Sequence, residues 1–170
     1  MIIAITSDEL REKIVKLAML QHRKEYKHGF HGPDYFDCAG LVWYVYNEIL
    51  GIDIYEEGYG ESATTKIMTS KHGVITLYEE GVLKNDLNLI KKGDILLFHR
   101  QDKNETEPKA NNRYPGHCGI YIGNNAFIHA SGTEKRIVIS DFNNEYWYKK
   151  IVGYKDYEEE FELVKSKFYI

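Results

Sequence analysis

An α+β fold, with a helix packed on a central antiparallel β-sheet, is what this sequence predicts, and three features carry it. A strongly apolar helical pattern begins at Cys38 and stops at Gly51. After Gly93 the periodicity changes to two-residue alternation, repeated in short stretches. The chain has 170 residues, 43% of them hydrophobic, which suffices for one sizeable core. Helical runs followed by runs of strands mark an α+β domain, so residues 1–170 are expected to form a single one.

Taken in order, Thr6-x-x-Glu9 reads as a capping box opening a helix whose apolar positions are Leu10, Ile14, Leu17 and Ala18. A turn-rich stretch follows, 27–36, with Gly29, Gly32 and Pro33. In the second helix, Leu41, Val45, Ile49 and Val42, Tyr46, Leu50 lie on adjoining stripes, and Gly51 is the C′ stop. Residues 52–92 show a turn at Lys71-His72-Gly73 and no assignable element. Five strands are expected at 94–98, 118–122, 126–130, 136–139 and 151–155, as an antiparallel meander behind the helix. The polar stretch 99–116 between the first two is a candidate lid, because loops that long are often functional. The tail 157–170, with the run Glu158-Glu159-Glu160, reads as an appended helix within the same domain.

Composition narrows the function classes. A net charge of −4 and a pI near 6.0 argue against nucleic-acid and anionic-membrane partners. No stretch reaches the roughly 18 apolar residues of a membrane span, and the start Met1–Thr6 lacks a signal peptide's basic and apolar regions. The location is left open by the sequence, between the cytoplasm and release by a phage-type or other signal-independent route. The 14 Tyr point to a surface that grips a ligand. Two cysteines, Cys38 and Cys118, do not build a disulfide scaffold.

The chemistry gathers around Cys38. A thiol becomes a good nucleophile when ionised, and the unpaired amide dipoles of a helix start favour the thiolate and a developing oxyanion alike. An isolated Cys is more often a buried structural residue, and the following hairpin shifts that balance. Cys118, Ile120, Ile122 and Ala126, Ile128, Ala130 form one apolar face. Pairing them sets Ile120 opposite Ile128 and Ile122 opposite Ala126, around a three-residue loop Gly123-Asn124-Asn125. His117 and His129 then share the other face as diagonal neighbours, within reach of an imidazole–imidazole hydrogen bond, with Gly119 leaving space beside them. A Cys, a base and a group orienting the base are what nucleophilic catalysis requires. Cys118, by parity, belongs to the core. Zinc held by Cys38, His117 and His129 is the competing reading, though the closely spaced ligand pairs of structural zinc are missing.

These residues sit in four ordered segments: Asp37-Cys38-Ala39-Gly40-Leu41-Val42, Lys92-Gly93-Asp94-Ile95-Leu96-Leu97-Phe98, His117-Cys118-Gly119-Ile120-Tyr121-Ile122-Gly123 and Phe127-Ile128-His129-Ala130. Together they resemble the NlpC-type cell-wall cysteine peptidases, a papain-like family, over nearly the whole chain. The resemblance implies a papain-like fold, with Cys38 as nucleophile, His117 as base and acid, and His129 as its orienter. It also implies that the Tyr26 hydroxyl lies near the cysteine and assists the oxyanion, and that Asp37 helps bind a substrate amine. Ala39 stands where that family usually has a Ser which shares the amine, so a requirement for a free L-alanine terminus is in doubt. The implied substrate is a peptidoglycan stem peptide, cut between D-glutamate and a diamino acid, with no cofactor. Two rivals stand beside that function: an amidase or acyltransferase using the same triad, and a non-catalytic wall-peptide-binding module.

Overall fold

A computed structural model describes residues 5–51, 74, 82–99, 115–159 and 161. Most of the expected lid, the turn at 71–73 and most of the tail lie outside these residues. Helix α1, Ser7–Leu20, opens on the expected capping box: Thr6 Oγ1 accepts the Glu9 N–H at 3.1 Å, and Glu9 Oε2 accepts the Thr6 N–H at 2.7 Å. It buries Leu10, Ile14 and Ala18, with Leu17 partly covered. Arg11 is buried beside them because its guanidinium meets Asp94 and Asp156, each at 2.7 Å. A planar fork with several donors bridges α1 to two separate strand ends, which apolar packing alone would not orient.

Helix α2, Cys38–Leu50, ends at Gly51 in the left-handed conformation (φ 63°), as the sequence predicts. Leu41, Val42, Val45 and Tyr46 have no exposed surface, and each such aliphatic side chain contributes about 1.5–3 kcal/mol by leaving water. The Tyr46 hydroxyl donates to the Gly93 carbonyl, fastening the helix to the turn that opens the sheet.

The strands are β1 (Glu25–Tyr26), β2 (Tyr35–Phe36), β3 (Ile95–Phe98), β4 (His117–Gly123), β5 (Ala126–Ser131), β6 (Arg136–Asp141) and β7 (Ile151–Lys155). Among the described residues they form one mixed sheet in the order β2-β1-β6-β5-β4-β3-β7. The five expected strands are all present, with β3 to β6 as an antiparallel meander. β7 departs from the meander: it crosses to the far edge and pairs with β3. A one-turn helix α3, Glu145–Tyr148, lies in that crossover. The parallel pair β1–β2 was not expected, since two-residue strands carry no periodicity and exist only through their neighbours.

The hairpin register is half as expected. Ile120 does face Ile128, but Gly123 rather than Ile122 pairs with Ala126, through a bulge after Tyr121. Asn124 and Asn125 both take positive φ (52° and 60°), the requirement of a two-residue type I′ turn, and Asn tolerates it. The turn thus closes one residue later than alternation implies, and the bulge absorbs the difference. The shift lies beyond the histidine end of the ladder.

The sheet separates two apolar clusters. One face, with Ile95, Leu97, Cys118, Ile120, Ile128 and Ala130, packs with α1 and α2; the other gathers Leu96, Phe98, Phe127 and Tyr154 with Phe142 and Trp147. The start of α2 and the first residue of β4 meet at one end of this arrangement.

Candidate active site

Cys38 is the first residue of α2, 4% exposed, and Asp37 is its N-cap. Asp37 Oδ1 accepts the Gly40 N–H at 2.7 Å and Oδ2 accepts the Gly29 N–H at 2.9 Å, while its own N–H donates to the Phe30 carbonyl at 2.7 Å. The turn-rich stretch before the cysteine is thereby bound against the helix start. Gly40 is required there: a Cβ would run into the Phe30 carbonyl oxygen and stand 2.8 Å from His31 Cα and 2.9 Å from Asp37 Oδ1. Asp37 has no exposed surface, and its carboxylate both caps the helix and ties down Gly29. Ala39 is also fully buried. Gly40 and Leu41 give their N–H groups to Asp37, so two first-turn amides are already engaged.

His117 opens β4 and His129 lies on β5, as parity and register require. His117 Nε2 and His129 Nδ1 are 2.8 Å apart, the imidazole pair the sequence predicts. Gly119 makes the approach feasible, since a Cβ there would lie 2.8 Å from the Phe127 ring and 3.0 Å from His129 Cβ. Hydrogen bonding from Cys118, then from His117 with its charge, holds the Cys38 thiol well below the usual thiol range, against the burial that would raise it. Burial and the bond to Cys38 push Cys118 the other way, so Cys38 is the thiol that ionises. Burial, then the charge of His117, holds His129 well below the usual imidazole range, so it stays neutral.

Three neighbours of this group escaped the sequence reading. Cys118 belongs to the core as expected, yet α2 covers that face with Cys38 at its start, so the second thiol meets the first. Ser140 Oγ is 2.9 Å from His129 Nε2. Carrying the alternation one strand further would have found it, because His129 pairs with Val138 and Ser140 shares that face. Trp147 of α3 stacks on His117 (5.7 Å, 27°) and sets its edge to His129 (5.0 Å, 75°). No periodic signal marks it, since it arrives from a crossover.

Tyr26, in β1, is half-buried against the main core, with its ring 3.5 Å from where a Gly132 Cβ would be. The zinc reading loses its geometry: the two imidazoles face each other instead of a shared point. Among the described residues no three His, Cys, Asp or Glu are grouped to hold a metal.

The NlpC/P60 family model matches residues 23–156, well over half of the chain and including every residue of this site. The chain belongs to the NlpC/P60 family. It is 26% identical over 147 residues to murein DD-endopeptidase MepH of Escherichia coli, covering 84% of this chain and 45% of that protein. Identity is 31% over 130 residues to the probable peptidoglycan endopeptidase LytE of Bacillus subtilis, covering 76% and 29%. Among solved structures, NlpC2 from Trichomonas vaginalis superposes with a TM-score of 0.63 at 27% identity, over 90% of this chain and 48% of that one. The chain thus spans less than half the length of each of these relatives. The papain-like α+β fold expected from the motifs is the fold of this family's domains.

Proposed function

We propose that this NlpC/P60 domain is a cysteine peptidase that hydrolyses peptide bonds in peptidoglycan stem peptides. One arrangement carries the reading: Cys38 at a helix start, its thiol pKa lowered by hydrogen bonds from Cys118 and His117, and His117 joined to His129 at 2.8 Å. The Cys38 sulfur attacks the scissile carbonyl carbon, forming the S–C bond. The Cys38 N–H at the helix start is the amide assigned to the oxyanion, with the Tyr26 hydroxyl assisting as the resemblance implies. His117 then gives its proton to the leaving amine as the C–N bond breaks. Water, deprotonated by His117, cleaves the thioester and returns the thiol. The aromatic walls from Phe127 and Trp147 keep His129 dry and neutral, so the proton handled in each step stays on His117.

The bond assigned is that between D-glutamate and a diamino acid. Asp37 is buried as a cap and Ala39 lacks a hydroxyl, which supports a substrate without an obligatory free N-terminal amine. MepH is named a DD-endopeptidase, which favours a second reading, cleavage between D-residues of a crosslink. Mass spectrometry of peptidoglycan digested by wild-type and Cys38→Ala protein tests both. New D-glutamyl termini support the first assignment and opened crosslinks the second. An intact digest, or equal cleavage by Cys38→Ala, rejects the peptidase.

A further inference from the structure

Ser140 lies on β6, outside the three residues assigned to the reaction. Its Oγ is 2.9 Å from His129 Nε2, on the opposite side of the ring from Nδ1, which meets His117 Nε2 at 2.8 Å. His129 is 1% exposed, stacked on Phe127 (4.7 Å, 27°) and edged by Trp147 (5.0 Å, 75°). In that box the ring is neutral and carries one N–H for two hydrogen bonds. Two arrangements exist. With the proton on Nδ1, His129 donates to His117 Nε2, which must then be bare. With the proton on Nε2, His129 donates to Ser140 and its Nδ1 accepts from His117.

We propose that Ser140 is a positioning residue that selects the His129 tautomer: its hydroxyl accepts from Nε2–H, leaving Nδ1 as the acceptor for His117 Nε2–H. Only this arrangement lets His117 carry protons on both nitrogens and hold the one taken from Cys38. Ser140 is only partly buried, which leaves its own O–H proton free to be donated outward. Without the hydroxyl, a proton on Nε2 would be buried and unpaired, which is unfavourable. The proton would move to Nδ1, where it opposes the imidazolium of His117. The inference rests on the reading of His117 as the base.

Long-range ¹H–¹⁵N correlation on protein labelled with ¹⁵N-histidine reads the tautomer directly, and iodoacetamide alkylation of Cys38 at pH 7 reads its consequence without a substrate. Wild-type His129 is expected to be protonated on Nε2. Ser140→Ala moves the proton to Nδ1 and slows alkylation roughly tenfold, whereas Ser140→Thr keeps Nε2–H and restores the rate. Protonation at Nδ1 in the wild type overturns the proposal, as does a Ser140→Ala protein that retains Nε2–H or the wild-type rate. The wild-type and Ser140→Thr measurements decide the matter even if Ser140→Ala fails to fold. If these results hold and peptidoglycan is left uncut, the peptidase reading fails while the role of Ser140 stands.

Discussion

Replacing Gly40 with Ala sets helix propensity against packing, and the two predict opposite signs. On propensity alone, Gly to Ala inside a helix stabilises by about 1 kcal/mol. The structure argues otherwise. The added Cβ meets the Phe30 carbonyl oxygen, His31 Cα at 2.8 Å and Asp37 Oδ1 at 2.9 Å. The first two are backbone, and Asp37 clamps that stretch through the Phe30 carbonyl and the Gly29 N–H, so no side chain can rotate away. Overpacking of this kind costs about 1–3 kcal/mol, and the upper end applies where backbone must move. Displacing Asp37 from the Gly40 N–H removes the cap, a further loss of about 1 kcal/mol. Against the propensity gain, the net destabilisation is about 3 kcal/mol. Urea unfolding of both proteins at one pH measures it, and Cys38 alkylation should slow in parallel because the helix start is displaced. A Gly40→Ala protein as stable as the wild type, or more so, would refute the account of why glycine follows the cysteine motif.

Iodoacetamide at neutral pH should label Cys38 and spare Cys118, which has no exposed surface and a raised pKa; equal, slow labelling of both would remove the thiolate. Cys118→Val takes away the first hydrogen bond to the Cys38 sulfur, so the pH–rate curve for Cys38 alkylation should move to higher pH, and an unmoved curve contradicts that bond. His129 has a folded pKa below its usual 6.5, so its contribution to stability is present above pH 6.5 and is lost as pH falls. Below that pH the wild type should lose up to about 1.4 kcal/mol per pH unit more than His129→Gln in calorimetric or urea measurements; parallel pH profiles would show that His129 titrates normally. Arg11→Met strands the fully buried Asp94 and should cost about 3–5 kcal/mol near neutrality. Burial already raises Asp94, and losing Arg11 raises it further, so the variant's deficit should shrink as pH falls and Asp94 protonates; a deficit independent of pH would show that the ion pair is not its source.

Features that depend on near neighbours in the chain are legible without the fold. The capping box at Thr6, the glycine stop at Gly51 and the alternation that turns His117 and His129 to one face are local rules, and the structure follows each of them. The hairpin turn was legible except for its bulge, because Asn-Asn allows a tight I′ turn that alternation alone does not reveal. Which surfaces meet is settled by the packing of the whole chain. Nothing local says that β7 crosses to β3, or that Arg11 reaches two carboxylates from distant strand ends. The same holds for Cys118 under the start of α2 and for Trp147 over the imidazoles. Local hydrogen bonding and periodicity constrain each element in isolation, whereas these contacts are set by how whole faces bury one another. Cys38 carries both kinds of information: its place at a helix start was written in the chain, and the hydrogen-bond partners that lower its thiol pKa arrived with the fold.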